Sequence, residues 1–251
     1  MGKTLAGTLF VYRGRVFDYC FIESIQSLLE CCDRVFVVAG GDDNTCEEIL
    51  DTIHSERLIV KRLSDDEWNS QKGSQKLSYF TNMAIDMAER DGYRYQYNQQ
   101  ADEILSEQSY EKITDAIAGN EDAYFATRIN LWKDPFHALE VPQERKPVST
   151  HIIRIAKTKY RSVGDAESLG VPYASPVFID GIKIIHYGFV RKKDVMKKKV
   201  IHIQEEVFGM DHDKKLDVSD VFQPELWFSD EDLIPFNEHP KLISEWIKSR
   251  P

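Results

Sequence analysis

Val35-Phe36-Val37-Val38-Ala39-Gly40-Gly41-Asp42-Asp43-Asn44-Thr45 is the stretch on which the fold turns. Its apolar residues run without alternation, as in a strand covered on both faces, and stop at a loop of glycines and acids. Upstream, residues 8–12 (Thr-Leu-Phe-Val-Tyr) are strand formers, and residues 17–29 place Phe21, Ile22, Ile25, Leu28 and Leu29 at helical spacing. Downstream, Thr45 followed by Glu48 predicts a capping box for a helix with Ile49, Leu50 and Ile53 on its apolar face. Residues 58–60 read as a third strand, 77–88 as a third helix and 93–97 as a fourth strand. The order β-α-β-α-β-α-β predicts an α/β fold with a mostly parallel central sheet flanked by helices. Ligands of such sheets sit outside the carboxyl ends of the strands, which singles out the loops after Tyr12, Val38 and Tyr97. The second half is less regular. Strands are expected at 124–131, 151–155 and 182–187, a basic amphipathic helix at 195–207 and a short helix at 242–247.

The chain has 251 residues, 42% of them apolar and 29% charged, enough for one sizeable core without covalent staples. A net charge of −10 argues against stable nucleic-acid binding, which needs a positive footprint. Cys20, Cys31, Cys32 and Cys46 show no metal-binding spacing and read as free thiols. There is no apolar signal segment at residues 1–4, and no run approaches the ~18 apolar residues of a membrane span, so a cytoplasmic location is expected.

Four segments carry chemistry. Gln99-Gln100-Ala101-Asp102-Glu103 puts two adjacent carboxylates just past the fourth strand. Such acids suit a hard divalent cation offsetting diphosphate charge, and equally suit the cap of a following helix. His186 ends an apolar strand in Ile184-Ile185-His186-Tyr187-Gly188-Phe189-Val190-Arg191, where it reads as a structural residue or as a second metal ligand. Arg191, Lys192, Lys193 and the run Lys197-Lys198-Lys199 could meet phosphate or form a solvated face. Asp165, in Ser162-Val163-Gly164-Asp165-Ala166-Glu167, fits a general base or a turn. Asp42 and Asp43 could accept hydrogen bonds from a nucleoside or merely cap a turn. There is no P-loop, no G-x-G-x-x-G and no G-x-S-x-G.

In this order the segments resemble bacterial and viral family 2-like glycosyltransferases of the GT-A fold. The likeness spans Tyr12-Arg13, Gly41-Asp42-Asp43, Asp66-Glu67-Trp68, Thr81-Asn82-Met83-Ala84, Gln100-Ala101-Asp102-Glu103, Gly164-Asp165-Ala166 and His186 to Arg191, with Met196 and Lys199 beyond. Where the general pattern has Asp-x-Asp, Gln100 replaces the first acid. The resemblance implies a donor-binding half (1–105) and an acceptor-binding half with C-terminal helices (106–251) in a single domain. It implies Mn²⁺ or Mg²⁺ on Asp102 and His186, with Asp165 as the base of an inverting transfer. The nucleotide-sugar donor, a UDP-sugar in the first place, would meet Tyr12, Arg13, Asp42, Asp43, Lys76, Gln100, Ala101 and Arg191. The acceptor would be a glycan or another hydroxyl compound. A sugar nucleotidyltransferase and a non-catalytic nucleotide- or sugar-binding protein are the alternatives.

Overall fold

The computed structural model describes residues 3–73, 75–140, 150–207 and 230–250. Strand β1 (Leu5–Tyr12) lies parallel between β2 (Arg34–Gly40) and β4 (Tyr95–Gln100), and β3 (Leu58–Leu63) extends the parallel part beyond β2. Because side chains alternate across a strand, β2 splits its apolar run between two cores. Val35, Val37 and Ala39 pack toward helices α1 (Phe21–Cys31) and α2 (Thr45–Thr52). Phe36 and Val38 pack toward α4 (Lys76–Arg90) on the other face, where the short helix α3 (Asp65–Asn69) also lies. The continuous apolar run thus marks a strand covered on both sides, and the α/β class expected from the sequence is what forms.

Beyond β4 the sheet becomes mixed. A turn at Ala101–Asp102 leads to β5 (Glu103–Leu105), after which comes α5 (Tyr110–Ala118). Strand β8 (His151–Lys157) runs antiparallel between β4 and β6 (Ala123–Trp132), and the long β11 (Val177–Phe189) pairs parallel to β6. The path reads β12-β7-β6-β8-β4-β1-β2-β3, with β7 (His137–Leu139) and β12 (Leu233–Pro235) at its far edge and β11 joining β5 to β6. One sheet therefore crosses the expected boundary at residue 105. A separate hairpin, β9 (Arg161–Val163) and β10 (Ser168–Gly170), packs against α4, where Asn82 exchanges hydrogen bonds with the Ser162 backbone. Helix α6 (Lys193–His202) continues into a π turn at Ile203–Val207, and α7 (Ser244–Lys248) ends the described chain. Among the described residues no helix is long and apolar enough to cross a membrane.

Local differences from the sequence expectation have local causes. Helix α1 begins at Phe21, four residues later than its periodicity suggests. Arg13 and Asp18 adopt left-handed backbone (φ 52° and 55°), and the bonds Phe17 N–H to Arg13 O and Tyr19 N–H to Gly14 O close a compact loop first. The capping box expected at Thr45–Glu48 does not form. Asn44 takes the cap position at φ 61°, and Asp43 accepts from both the Thr45 N–H and its hydroxyl. A capping box forms instead between Ser64 and Glu67, ahead of Trp68. The acids after β4 cap no helix, since the chain goes straight into β5.

Glu103 is fully buried and ties these parts together. Its carboxylate accepts from the Gln100 N–H at 3.1 Å and from Arg154 of β8 at 2.7 Å, with Arg128 of β6 at 3.7 Å. A buried carboxylate between two guanidinium groups holds the fold only while all partners are present. Replacing Glu103 by Ala is expected to lower stability by about 3–5 kcal/mol, as for breaking a buried ion pair, in a urea unfolding titration.

Candidate active site

At the carboxyl ends of β1 and β4 the sheet opens into a cavity of about 450 Å³. One wall is aromatic. Tyr12 stacks on Trp68 with ring centroids 3.9 Å apart and planes 9° from parallel, and His202 of α6 lies 6.0 Å from Tyr12 and 4.8 Å from Phe17. Burial pushes the Tyr12 hydroxyl up to about 12, so it stays protonated, 3.4 Å from an Asp65 carboxylate oxygen. Flat rings in a cavity wall offer a stacking surface to a planar ligand.

The opposite chemistry gathers around Asp102. Alternation along β4 sends Gln99 to α1, where its amide donates to Ser24 and Ser27, and sends Gln100 the other way, toward the cavity. The turn after β4 then presents the buried Asp102. Its Oδ2 accepts from Arg191 at 3.1 Å and Lys199 at 3.0 Å, while Oδ1 lies 3.7 Å from His186 Nε2. Burial works against the Asp102 charge, but the Lys199 and Arg191 cations overcome it and hold the carboxyl far below its usual range. Burial, reinforced by Arg128, Lys199 and Arg191, pushes His186 well below its usual range, leaving it neutral at pH 7. Burial beside Arg191 also lowers Lys199, to about 8, against the pull of Asp102.

His186 Nδ1 is 2.9 Å from Asn130 Oδ1; in the tautomer that donates from Nδ1 to this oxygen, Nε2 turns a lone pair toward Asp102 Oδ1. Two electron-rich atoms at this spacing fit a shared cation. Among the described residues no three His, Cys, Asp or Glu side chains converge as a metal cage. The protein would thus provide two donors and leave the remaining positions to water and ligand oxygens, as Mg²⁺ and similar hard ions allow. The ring has room only because residue 188 is glycine: a Cβ there would sit 2.2 Å from His186 Nε2.

Asp165 is exposed at the tip of the β9–β10 hairpin and lines the same cavity. Its carboxylate accepts the Glu167 N–H at 3.3 Å and has no ion pair among the described residues. Tyr12, Gln100, Ala101, Asp102, Asp165 and His186 thus meet in one cavity, and Arg191 reaches it through Asp102.

The other expected residues do not line it. Lys76 is buried with its ammonium 3.7 Å from the Trp68 ring centre, behind the aromatic wall. Asp43 is occupied by Thr45 and the Val16 N–H. Asp42 pairs with Arg13 at the rim, where the Gly41 backbone (φ 117°) passes too close to Arg13 for any side chain. Lys199, which the sequence reading named in the lysine run and in the resemblance without giving it a role, faces the cavity. Its spacing from Met196 and Ile203 marks the inner face of α6, and that periodicity singles it out from exposed Lys197 and Lys198.

No family model matches the chain, and no curated protein matches it. Solved structures similar to it include S. aureus TarS, at 14% identity and a TM-score of 0.45, over 81% of this chain and 40% of that one. TarS 1-349 in complex with UDP is similar at 14% identity and 0.44, over 91% and 73%. The 4-diphosphocytidyl-2C-methyl-D-erythritol synthase of Anaerococcus prevotii is similar at 9% identity and 0.45, over 81% and 97%. The chain therefore spans 40% of the length of the TarS chain named first.

The contact between Gly188 and His186 is directly testable. Gly188→Ala is expected to cost about 1–3 kcal/mol of stability through overpacking. In a His186→Ala background, where the ring is gone, the same substitution should cost less than about 0.5 kcal/mol, the coupling being read from a double-mutant cycle by urea unfolding.

Proposed function

We propose that the chain is a glycosyltransferase of the GT-A kind, moving a sugar from a nucleotide-diphosphate sugar to an acceptor hydroxyl with inversion. The observation that carries this reading is the meeting, in one cavity at the strand ends, of a paired acid and imidazole with a carboxylate that has no ion pair among the described residues. Asp102 and His186 face each other at 3.7 Å, and Asp165 lines the same space from a different hairpin.

In this reading the base of the nucleotide lies on the Tyr12–Trp68 wall and the diphosphate lies toward Asp102. A Mn²⁺ or Mg²⁺ ion held by Asp102 and His186 would supply positive charge to the departing diphosphate. Arg191 and Lys199 keep Asp102 ionised and surround it with positive charge inside a chain of net charge −10. Asp165 takes the proton of the acceptor hydroxyl. The acceptor oxygen then bonds to the anomeric carbon as the bond from that carbon to the diphosphate oxygen breaks, its electron pair leaving with the nucleotide. One such displacement inverts the anomeric centre.

A thermal-shift panel of UDP, GDP, CDP and dTDP with and without Mn²⁺ tests the donor half. One nucleotide is expected to stabilise the protein more strongly with Mn²⁺ than alone, by mass action on the native state. Asp102→Asn and His186→Ala should lose the Mn²⁺-dependent increment. Absence of any shift with the wild-type chain overturns the reading, and pyrophosphate release from a nucleoside triphosphate and a sugar phosphate would replace it with a nucleotidyltransferase.

Asp165→Asn tests the acceptor half. It should keep the nucleotide shift and lose about 10²–10⁴-fold in turnover, the range for a general base, measured as nucleotide released from the donor sugar that the wild-type chain uses. Unchanged turnover in this variant removes Asp165 from the reaction.

A further inference from the structure

Gln100 stands where a carboxylate is expected, and its side chain does not turn to Asp102 or His186. Its backbone is fixed on both sides: the N–H donates to Glu103 at 3.1 Å and the carbonyl accepts the Ser24 hydroxyl at 3.0 Å. From that anchored position the amide Nε2 donates to the carbonyl of Ala166 at 3.2 Å. Arg154, itself held by Glu103, donates to the same carbonyl at 3.3 Å. That oxygen belongs to the residue immediately after Asp165.

The segment so gripped is one that does not settle on its own. Gly164 and Ala166 both have left-handed backbone, at φ 59° and 65°, and for alanine this conformation costs about 1–2 kcal/mol. A non-glycine residue stays there when its surroundings over-determine it. Ala166 is buried, its N–H is taken by the Val163 carbonyl at 3.1 Å, and its neighbour Glu167 is tied to Arg128 at 2.5 Å. Asp165, between these fixed points, is exposed.

We infer that Gln100 is a positioning residue for Asp165: with Arg154 it clamps the Ala166 carbonyl and sets where the Asp165 carboxylate stands in the cavity. The glutamine therefore does a task that a carboxylate at position 100 cannot do. A carboxylate has no proton to donate to the Ala166 carbonyl and would set negative charge against it. The departure from Asp-x-Asp is then an exchange, one possible metal ligand for one loop clamp, with Asp102 and His186 left as the protein's metal donors. The catalytic part of this inference rests on the transferase reading above; the clamp itself does not.

The experiment compares the wild-type chain with Gln100→Met, which keeps length and loses the donor, and with Gln100→Asn, which keeps the amide one methylene short of the carbonyl. Three quantities are read: amide hydrogen exchange in residues 163–168, the thermal shift with UDP and Mn²⁺, and the kinetics of nucleotide release from the donor sugar. In both variants exchange of the 163–168 amides is expected to rise about tenfold. The shift should match that of wild type. Because misplacing a reacting group by about 1 Å costs up to about 10²-fold, kcat should fall 10- to 100-fold with the donor KM within about twofold.

Exchange unchanged in both variants overturns the clamp. Loss of the UDP–Mn²⁺ shift with exchange unchanged instead makes Gln100 part of the donor or metal site. If wild type itself shows neither shift nor turnover, the transferase reading fails while the exchange measurement still decides the clamp. A variant that does not fold leaves the other to give the answer, since Gln100 is half-exposed and the two substitutions differ in bulk.

Discussion

The buried carboxylate of Glu103 is the constraint around which the second half of the molecule is arranged. It binds the last N–H of β4, a guanidinium from β8 and, more distantly, one from β6, so it fixes the mutual position of three strands that the chain visits far apart. Arg154 extends the grip to the Ala166 carbonyl and Arg128 extends it to Glu167, both in the hairpin that carries Asp165. Asp102, the residue before Glu103, is placed by the same turn. Two carboxylates that look alike in sequence thus divide the labour. One is spent inside the protein on its own arginines, which is why its neighbour can be held still at the cavity.

The charge at Asp102 is balanced locally and not by the chain as a whole. Arg191 and Lys199 converge on one of its oxygens, leaving the other to His186. Both cations also lie over the Tyr19 ring, at 4.7 and 4.9 Å, so an aromatic face shares the work of keeping desolvated positive charge in place. Three long side chains and a histidine are thereby packed with little freedom, and Gly188 supplies the missing volume that lets the imidazole in. A preorganised pocket of this kind spends its ordering entropy on folding, before any ligand arrives.

How much of this could be read beforehand followed the range of the interactions. Periodicity located the first four strands and three helices because burial on each side of a strand, or on one stripe of a helix, leaves a local pattern. It overran the start of α1, where a single left-handed Asp18 outweighs the apolar spacing, and it allowed a helix after Asp102 where pairing with β11 makes a strand. In the site, Asp102, His186 and Asp165, which line one cavity, were legible as candidates because each lies near a strand end or at the tip of a turn. Lys76 lies on Trp68 and not among the cavity-lining residues, a placement that the sequence could not reveal because a lysine opening a helix looks the same in either position. Asp43 is bonded by the Val16 N–H from the compact loop ahead of α1, a contact that leaves no local pattern in the sequence. Lys199 and the arginines around Glu103 were less legible: Arg154 and Arg128 reach Glu103 from β8 and from the β6 that β8 brings beside β4, and Lys199 meets Asp102 across 97 residues of sequence.

Trp68 gives the molecule an optical property of its own. Of the described tryptophans it is the one that lines the cavity, stacked on Tyr12 with the Lys76 ammonium near its ring. An indole's excited state is sensitive to nearby charge and to the rings it touches, and here both are set by the wall on which a planar ligand would rest. Emission from this one residue therefore reports the state of the cavity without any attached dye. A substitution of Trp132 and Trp246, which sit elsewhere in the aromatic clusters, would isolate that signal from most of the remaining background.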